Sequence, residues 1–586
     1  MPDDGPTAPL LAFPPDGRDP DAGPATGAPA GPPPTGSGIP MRRGDFPTLV
    51  AALAYAARGR SGLAFHDQRG ALAEALPYRD LAERAAASAR RLRGAGFRRG
   101  DRVGIVAATG ADLAVSFFAC QLAGVAPAPL PLPLSFAGRE AWTGHVGRVV
   151  RAEGLSGLLA PPSMRDWIEG PAAEAGLRFA GSLADLDAAP DGAGEPPADD
   201  PDAVAYLQFS SGSTRFPAAV AVTQRALMAN LRGILEHGLA VRPGDRGVSW
   251  LPLYHDMGLV GFLLGAVAGQ VSIDYLAPQS FARRPLLWLE MISRSRATLS
   301  YSPAFGFELC VRRLRGAPPP ELDLSSWRAA GVGGDMIRPA ALRAFADAFA
   351  PRGFDARAFL PSYGLAEAVL AASFSPHGRG MAADRLDLDR LEAEGLAVPA
   401  APDARRSREF VLCGRPLPGH RLDVLGPDGA PLPDRRVGRI VLSGPSVAAP
   451  GPDGRLDTGD RGYLLDGEVV VTGRDKDVVI VNGRNVWPQD IEWTAEAAAA
   501  AAVGMRSARA AAVPVDGDAG EAAAVLLETA LADPTERAAL AEAVAGAVRA
   551  AHGVDAAVTL VAPGALPLTS SGKLSRAGAR RLLGAA

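Results

Sequence analysis

From about Thr48 onward the chain alternates between helix-like and strand-like runs, and this alternation limits it to one broad architecture. Leu81 to Leu92 is apolar on one helical face and arginine-rich on the other, the period of an amphipathic helix. Gly96 and Gly100 end it, and Arg102-Val103-Gly104-Ile105-Val106 follows as a short buried strand. Ala111 to Leu122 is helical again, and Ala126 to Pro133 is extended. Strands separated by helices can all run in one direction, so the expected class is α/β with parallel strands.

The texture changes further along. After Leu412, strand-like runs such as Arg421 to Leu425 and Gly438 to Leu442 are separated by Asp-Gly turns, as in Pro427-Asp428-Gly429. Leu465-Asp466-Gly467-Glu468-Val469 reads as a hairpin turn, so a β-rich subdomain is expected. Beyond Arg474 comes a small α/β unit that ends in a helix and a loop carrying Lys573. Residues 187–202, rich in Pro, Gly, Ala and Asp, read as a surface loop. Residues 1–40 have the same composition and bury too little apolar surface to offset their ordering entropy. A disordered leader is expected there, with Met41 opening the folded part.

At 586 residues and 47% hydrophobic content, the chain has room for two to four domains with large cores. A net charge of −4 argues against a general nucleic-acid binder. Cys120, Cys310 and Cys413 are widely spaced, with no CxxC pair, which suits a reducing cytoplasm. The longest strongly apolar stretch, Leu259 to Val271, is too short to span a bilayer. The N-terminus lacks the basic start and apolar core of a secretory signal.

The chemistry concentrates in motifs. Tyr206-Leu207-Gln208-Phe209 runs as a strand into Ser210-Ser211-Gly212-Ser213-Thr214-Arg215-Phe216-Pro217. Backbone N–H groups in such a loop can surround phosphate oxygens, and the hydroxyls add donors; many such loops are only turns. Five more motifs follow: Trp250-Leu251-Pro252-Leu253-Tyr254-His255-Asp256-Met257-Gly258, Ser362-Tyr363-Gly364-Leu365-Ala366-Glu367, Asp457-Thr458-Gly459-Asp460, Gly473-Arg474-Asp475-Lys476-Asp477 and Ser570-Ser571-Gly572-Lys573-Leu574. Only two of the 60 basic residues are lysine, Lys476 and Lys573, and both fall inside motifs. A lysine kept where arginine serves everywhere else is a candidate for chemistry that a planar guanidinium cannot do.

In this order the motifs resemble those of the adenylate-forming superfamily, which includes acyl-CoA synthetases, luciferases and peptide-synthetase adenylation domains. The resemblance runs from about residue 46 to the C-terminus. Within it, Trp250 to Gly258, Ser302 to Cys310, Leu386 to Pro399 and Asn482 to Glu492 look like fatty acyl-AMP ligases. The resemblance implies a large N-terminal domain over 41–473, with two α/β subdomains and a β-rich one, and a small mobile α/β domain over 474–586. It also implies a family-type insertion at 383–402 that disfavours transfer to CoA. The acyl group would pass instead to the phosphopantetheine thiol of an acyl carrier protein, or of a carrier domain in a polyketide or peptide synthase.

The same resemblance assigns roles. A fatty acid carboxylate must attack the α-phosphorus of ATP, and both reactants are anionic, so positioning and charge neutralisation dominate. Lys573 would bridge the carboxylate and the α-phosphate, and His255 would stand between the acyl tunnel and the phosphates. Glu367 and Thr214 would hold Mg²⁺, with Ser211, Gly212 and Ser213 around the phosphates. Tyr363 would stack on adenine, flanked by Ser362 and Gly364, with Gly333, Gly334 and Asp335 along its edge. Asp460 would take the ribose hydroxyls with Arg474 nearby, and Lys476 would mark the hinge of the small domain.

Plain structural readings exist for each residue. Asp460 could cap a turn, Tyr363 could be core, His255 and Asp256 could be a structural pair, and Arg474 could be a surface ion pair. The chain also departs from the superfamily: Arg215 and Pro217-Ala218-Ala219 replace the usual Gly and Pro-Lys-Gly, Asp335-Met336 replaces Glu-Pro, and residues 447–456 lack the usual Gly-Tyr-Trp segment. Two other functions therefore stand beside the ligase: a long- or medium-chain acyl-CoA synthetase, and a weakly active acyl- or nucleotide-binding homologue. Arginine clusters at Arg90-Arg91-Arg93, Arg312-Arg313-Arg315 and Arg580-Arg581 are candidate carrier-docking faces or solvated helix faces.

Overall fold

The structure is a computed structural model that describes residues 31–585, apart from 134–137, 195–198, 210–218, 315, 405, 482–483, 504–508, 518–519 and 570–573. The expected alternation is present. The amphipathic run forms the helix Tyr78–Gly94, burying Tyr78, Leu81, Ala82, Ala85, Ala89 and Leu92 along one stripe. Asp80 in its first turn and Arg91 and Arg93 in its last complement the helix dipole. Gly96 and Gly100 then adopt positive φ, +90° and +87°, where a side chain would be strained. Arg102–Val106 pairs in parallel with Ala126–Leu130 and Gly157–Leu159, and Phe179–Gly181 extends the same sheet.

A larger sheet has nine strands among the described residues. Its centre is parallel, in the order Phe359–Gly364, Ala329–Val332, Leu299–Ser302, Arg246–Ser249, Ser272–Leu276 and Gly62–His66. Antiparallel strands close both edges, Leu72–Pro77 on one side and Ala371–Phe374 with Arg415–Pro416 on the other. Because the central strands run in one direction, their carboxyl ends open along one rim, where ligands of such sheets bind.

The β-rich part is an antiparallel meander of Arg421–Leu425, Gly438–Ser443, Leu456–Leu465 and Glu468–Arg474. Its last hairpin turns at Asp466 and Gly467, both at positive φ, the geometry an Asp-Gly pair favours. Beyond it, Ala510–Gly517, Gly520–Glu528 and Ala556–Val561 form a sheet, with helices Pro488–Val503 and Pro534–His552. Val479, Ile491, Ala495, Val525, Leu540 and Val544 form a core of its own there.

The 383–402 segment folds as the strand Ala383–Asp387 and the helix Leu388–Glu394, capped by the Asp387 carboxylate and ended by Gly395 at φ +61°. Leu386, Leu388, Leu391 and Ala397 pack with Phe410, Tyr463, Val470 and Trp487. The segment thus joins the meander to the C-terminal unit. Glu392 on its helix is buried between Arg406 (2.9 Å) and Arg484 (3.3 Å). Nearby, Arg408 meets Asp490 at 2.5 Å with both side chains buried.

One expectation needs correction. Composition reads residues 1–40 as one disordered leader, and residues 1–30 lie outside the described part. Residues 31–40, however, are anchored: the carbonyls of Pro33, Pro34 and Pro40 accept hydrogen bonds from Arg246, Ser272 and Tyr55. Backbone carbonyls make these contacts, so side-chain composition gave no sign of them. The Arg90-Arg91-Arg93 cluster is also less open than a docking face would be. Arg90 and Arg91 pair with Asp191, and Arg93 donates to the Leu122 carbonyl.

The apolar run after His255 is not a continuous α-helix. Leu259–Leu264 is a π-helix and Gly265–Ala268 returns to α. Its widened turn leaves carbonyls to be satisfied elsewhere, and the Phe262 carbonyl accepts from the Tyr275 hydroxyl at 2.6 Å. Among the described residues, no helix is long and apolar enough to cross a membrane.

Candidate active site

Three parallel strands deliver motif residues to the rim. Arg246–Ser249 leads into Trp250 and His255, and Ala329–Val332 into Gly333, Gly334 and Asp335. Phe359–Gly364 carries Ser362, Tyr363 and Gly364, with Glu367 three residues beyond. Val332 registers against Pro361, so the glycine pair lies beside the tyrosine strand. A Cβ at Gly333 would stand 2.8 Å from the Ser362 carbonyl oxygen and hydroxyl, and Gly334 has φ +76°. Only glycines allow this close approach.

The meander supplies the facing wall. Tyr363 donates its hydroxyl to Asp460 Oδ2 at 2.8 Å, and Arg474 Nε lies 3.3 Å from Asp460 Oδ1. Burial, then the Asp460 charge, push the Tyr363 phenol well above its ordinary range, so it remains a donor. Asp460 and Arg474 are register partners in the antiparallel hairpin, which explains a pairing that their separation in sequence does not suggest. Tyr363 is 8% exposed.

His255 is oriented by its neighbour. Its Nδ1 lies 2.6 Å from Asp256 Oδ1, which also accepts the Met257 amide at 2.7 Å. The Met257 amide is 3.4 Å from Nδ1, so the shorter carboxylate contact decides the ring's orientation. Tyr254 accepts, through its carbonyl, the Gln208 amide at 3.0 Å. Gln208 lies at the base of the hydroxyl-rich loop, whose described flanks close a hairpin with Phe209 opposite Ala219. Ser211, Gly212, Ser213, Thr214, Arg215 and Ala218 lie outside the described residues, as does Lys573.

Arg576, just beyond Lys573, is described. It grips Glu492 through Nε (2.9 Å) and Nη2 (2.8 Å), and Asp477 at 3.0 Å. Its charge also feels Asp335 of the rim. Lys476 is exposed in the short turn Asp475–Asp477.

Sequence reasoning missed several supports. Asn230 is fully buried and clamps the backbone of Ala371, accepting from its amide at 3.1 Å and donating to its carbonyl at 2.7 Å. The same amide group donates to Ser446, which also meets His420 Nε2 at 2.6 Å. The Glu367 carbonyl accepts the Ala448 amide at 2.8 Å. Val369 sits at φ +71°, ψ −61°, a strained turn for a β-branched residue. No pattern in the sequence marks Asn230, Ser446, Ala448 or Val369. Gly473, by contrast, lies in a motif: a Cβ there would stand 2.3 Å from Trp487 Cδ1, so the glycine lets the Trp487 indole seat against the last meander strand.

The family model for AMP-binding enzymes matches residues 56–450. The chain belongs to the AMP-binding enzyme family. A Caulobacter vibrioides protein provisionally named an acyl-CoA synthetase is 48% identical to this AMP-binding enzyme, over 93% of this chain and 97% of that protein. JamA of Moorena producens, a medium-chain-fatty-acid–[acyl-carrier-protein] ligase, is 30% identical over 92% of this chain and 95% of its own length. A solved structure from work on fatty acyl-adenylate ligases of E. coli and L. pneumophila is 40% identical. It superposes with a TM-score of 0.87, covering 93% of this AMP-binding enzyme and 99% of that chain. The adenylate-forming fold expected from the motif order is therefore the fold observed.

Proposed function

We propose that this enzyme activates a fatty acid with ATP and passes the acyl group to a carrier-protein thiol. The observation that supports this reading is the linked set Tyr363–Asp460–Arg474, with His255 and Glu367 just beyond strands of the same parallel sheet. A fatty acid carboxylate oxygen attacks the α-phosphorus of ATP, the bond to the β-phosphate oxygen breaks, and pyrophosphate leaves. The phosphopantetheine sulfur then attacks the acyl carbon, the acyl–phosphate bond breaks, and AMP leaves.

The residues divide this work by charge and shape. Asp460, held by Tyr363, accepts from the ribose hydroxyls, and Gly333 and Gly334 let the adenine edge approach the backbone beside Tyr363. Lys573 bridges the carboxylate and α-phosphate, and Ser211, Gly212, Ser213 and Thr214 surround the remaining phosphates. Glu367 and Thr214 would hold Mg²⁺; a lone carboxylate and a hydroxyl suit a hard cation that takes its other oxygens from phosphates and water. Bound there, the ion neutralises phosphate charge.

The carrier, rather than CoA, is favoured as acceptor by the packing of residues 383–402 between the meander and the C-terminal unit. The name of the Caulobacter relative favours an acyl-CoA synthetase. Three buried, unpaired thiols suit a reducing cytoplasm. One experiment separates the readings: ATP, Mg²⁺ and a fatty acid series, followed by CoA or a holo-acyl carrier protein. Acyl-AMP that accumulates and then moves to the carrier is the expected result. Efficient acyl-CoA formation replaces this reading with the synthetase, and no acyl-AMP from any acid leaves a binding homologue.

A further inference from the structure

The strand that leads to His255, Arg246–Ser249, lies in the parallel sheet between Leu299–Ser302 and Ser272–Leu276. Each neighbour runs at its carboxyl end into a helix, Ala304–Leu314 after the first and Pro278–Arg283 after the second. Both helices pack against Trp250, the first residue past the strand between them. Phe281 stacks on the indole at 3.8 Å, and Phe305 meets it edge-on at 5.8 Å. The two helices therefore flank the segment that carries His255.

Beyond Trp250 the helices meet again. Cys310 Sγ lies 3.6 Å from the Pro285 carbonyl oxygen, which brings the last turn of the longer helix beside the end of the shorter one. Arg312 and Arg313 come from the first, Arg283 and Arg284 from the second. Arg283, Arg284 and Arg313 are exposed, and Arg312 is half-buried. Arg284 has Glu290 at 3.6 Å. Among the described residues, Arg283, Arg312 and Arg313 have no acidic partner. Glu308, the acid of the longer helix, lies 4.0 Å from Arg338 instead. Exposed arginines elsewhere, such as Arg84, Arg225 and Arg357, hold a carboxylate at 3.0, 2.9 and 2.7 Å. Like charges gathered on one face repel, and an acidic partner relieves that repulsion.

We propose that Arg283, Arg284, Arg312 and Arg313 form the surface on which an acidic carrier protein docks to present its thiol. The inference rests on the carrier being the acyl acceptor. The eleven residues of Ala304–Leu314 span about 16 Å from the rim outward. A protein seated on the arginines thus stands back from the rim, at a distance that a long phosphopantetheine arm serves to bridge. Exposed cations at the edge of an interface act mostly on encounter rate and on salt dependence. That suits a partner that must arrive, accept an acyl group and leave. CoA, which carries phosphates but no protein surface, is the competing anionic occupant.

The test uses the whole chain with ATP, Mg²⁺ and a fatty acid, and a panel of acidic holo-acyl carrier proteins, free pantetheine and CoA as acceptors. Arg283→Glu combined with Arg313→Glu is expected to raise the KM for the carrier about tenfold. Pyrophosphate release without acceptor, and transfer to pantetheine, should stay within about twofold of wild type. Raising salt from about 50 to about 200 mM should raise the wild-type carrier KM and leave that of the variant nearly unmoved. Arg283→Gln with Arg313→Gln should give a smaller rise in the same direction. An unchanged carrier KM in both variants, or an equal loss with carrier and pantetheine, overturns the inference. So does a loss confined to CoA, which gives the patch to that cofactor, or a carrier KM raised only by Arg580→Glu with Arg581→Glu. Wild-type enzyme that loads CoA or pantetheine but no carrier overturns the acceptor reading itself, before any arginine is changed.

Discussion

Tyr363 holds Asp460 across the boundary between the parallel sheet and the antiparallel meander, with 2.8 Å from hydroxyl to carboxylate. Neither residue reaches the rim with a fixed orientation unless the two sheets pack as they do. The bond makes Asp460 a preset acceptor, with one oxygen used by Tyr363 and the other near Arg474.

Tyr363→Phe keeps the ring and removes this bond. Losing one hydrogen bond to a charged group costs about 1.5–3 kcal/mol, a rise of roughly tenfold or more in the KM for ATP. The change in kcat should be smaller. ATP-dependent pyrophosphate release measures both.

Lys573→Ala should slow acyl-AMP formation by about two to three orders of magnitude. Transfer to a carrier from acyl-AMP supplied directly should fall much less. Lys573→Arg should not restore the first step, because a planar fork cannot follow two acceptors as their separation shrinks. Equal losses in both half-reactions would remove Lys573 from its assigned role.

Arg408 and Asp490 are buried together. Arg408→Met leaves a buried carboxylate unpaired and should destabilise the protein by about 3–5 kcal/mol. Arg408→Met with Asp490→Leu should recover most of that loss. Calorimetric unfolding of the single and double variants gives the coupling.

Gly473→Ala places a methyl group against Trp487 and should cost about 1–3 kcal/mol through displacement of the indole. Trp487→Phe in the same background should relieve part of the strain. Limited proteolysis near Asp475–Asp477 reports how firmly the C-terminal unit stays seated.

His552 is buried beside Arg406, Arg408 and Arg484, and burial, then those charges, lower its pKa to about 4. Its Nε2 meets the Thr494 hydroxyl at 2.8 Å. Protonation near the ordinary value of 6.5 therefore favours the unfolded chain. Stability should be full above about pH 6.5 and fall as the pH drops toward about 4, by up to about 3 kcal/mol. His552→Gln should flatten that slope in thermal unfolding measured from pH 7 to pH 4.

Much of the fold was legible because it is written in local periods. The strand Arg102–Val106 and the helices after Tyr78 and Ala111 follow from apolar spacing alone. The hairpin at Asp466-Gly467 follows from what those two residues tolerate at positive φ. The π-helix at Leu259–Leu264 was not legible, because an unbroken apolar run carries no period from which a widened turn could be told. The anchored residues 33–40 were hidden for another reason: their contacts use proline carbonyls, which composition does not register.

The sequence by itself determined the order of chemical groups along the chain and the α/β class that holds them. Phosphate-loop hydroxyls, His255, Glu367, Asp460 and Lys573 are each a residue type with few other uses in such motifs. Only the tertiary structure decided which of them share a wall and what keeps them there. Tyr363 meets Asp460, Asn230 grips Ala371, and Arg408 meets Asp490, each pair joined across a long stretch of chain. Such pairings depend on how separate elements pack, and packing is fixed by three-dimensional burial rather than by any local pattern.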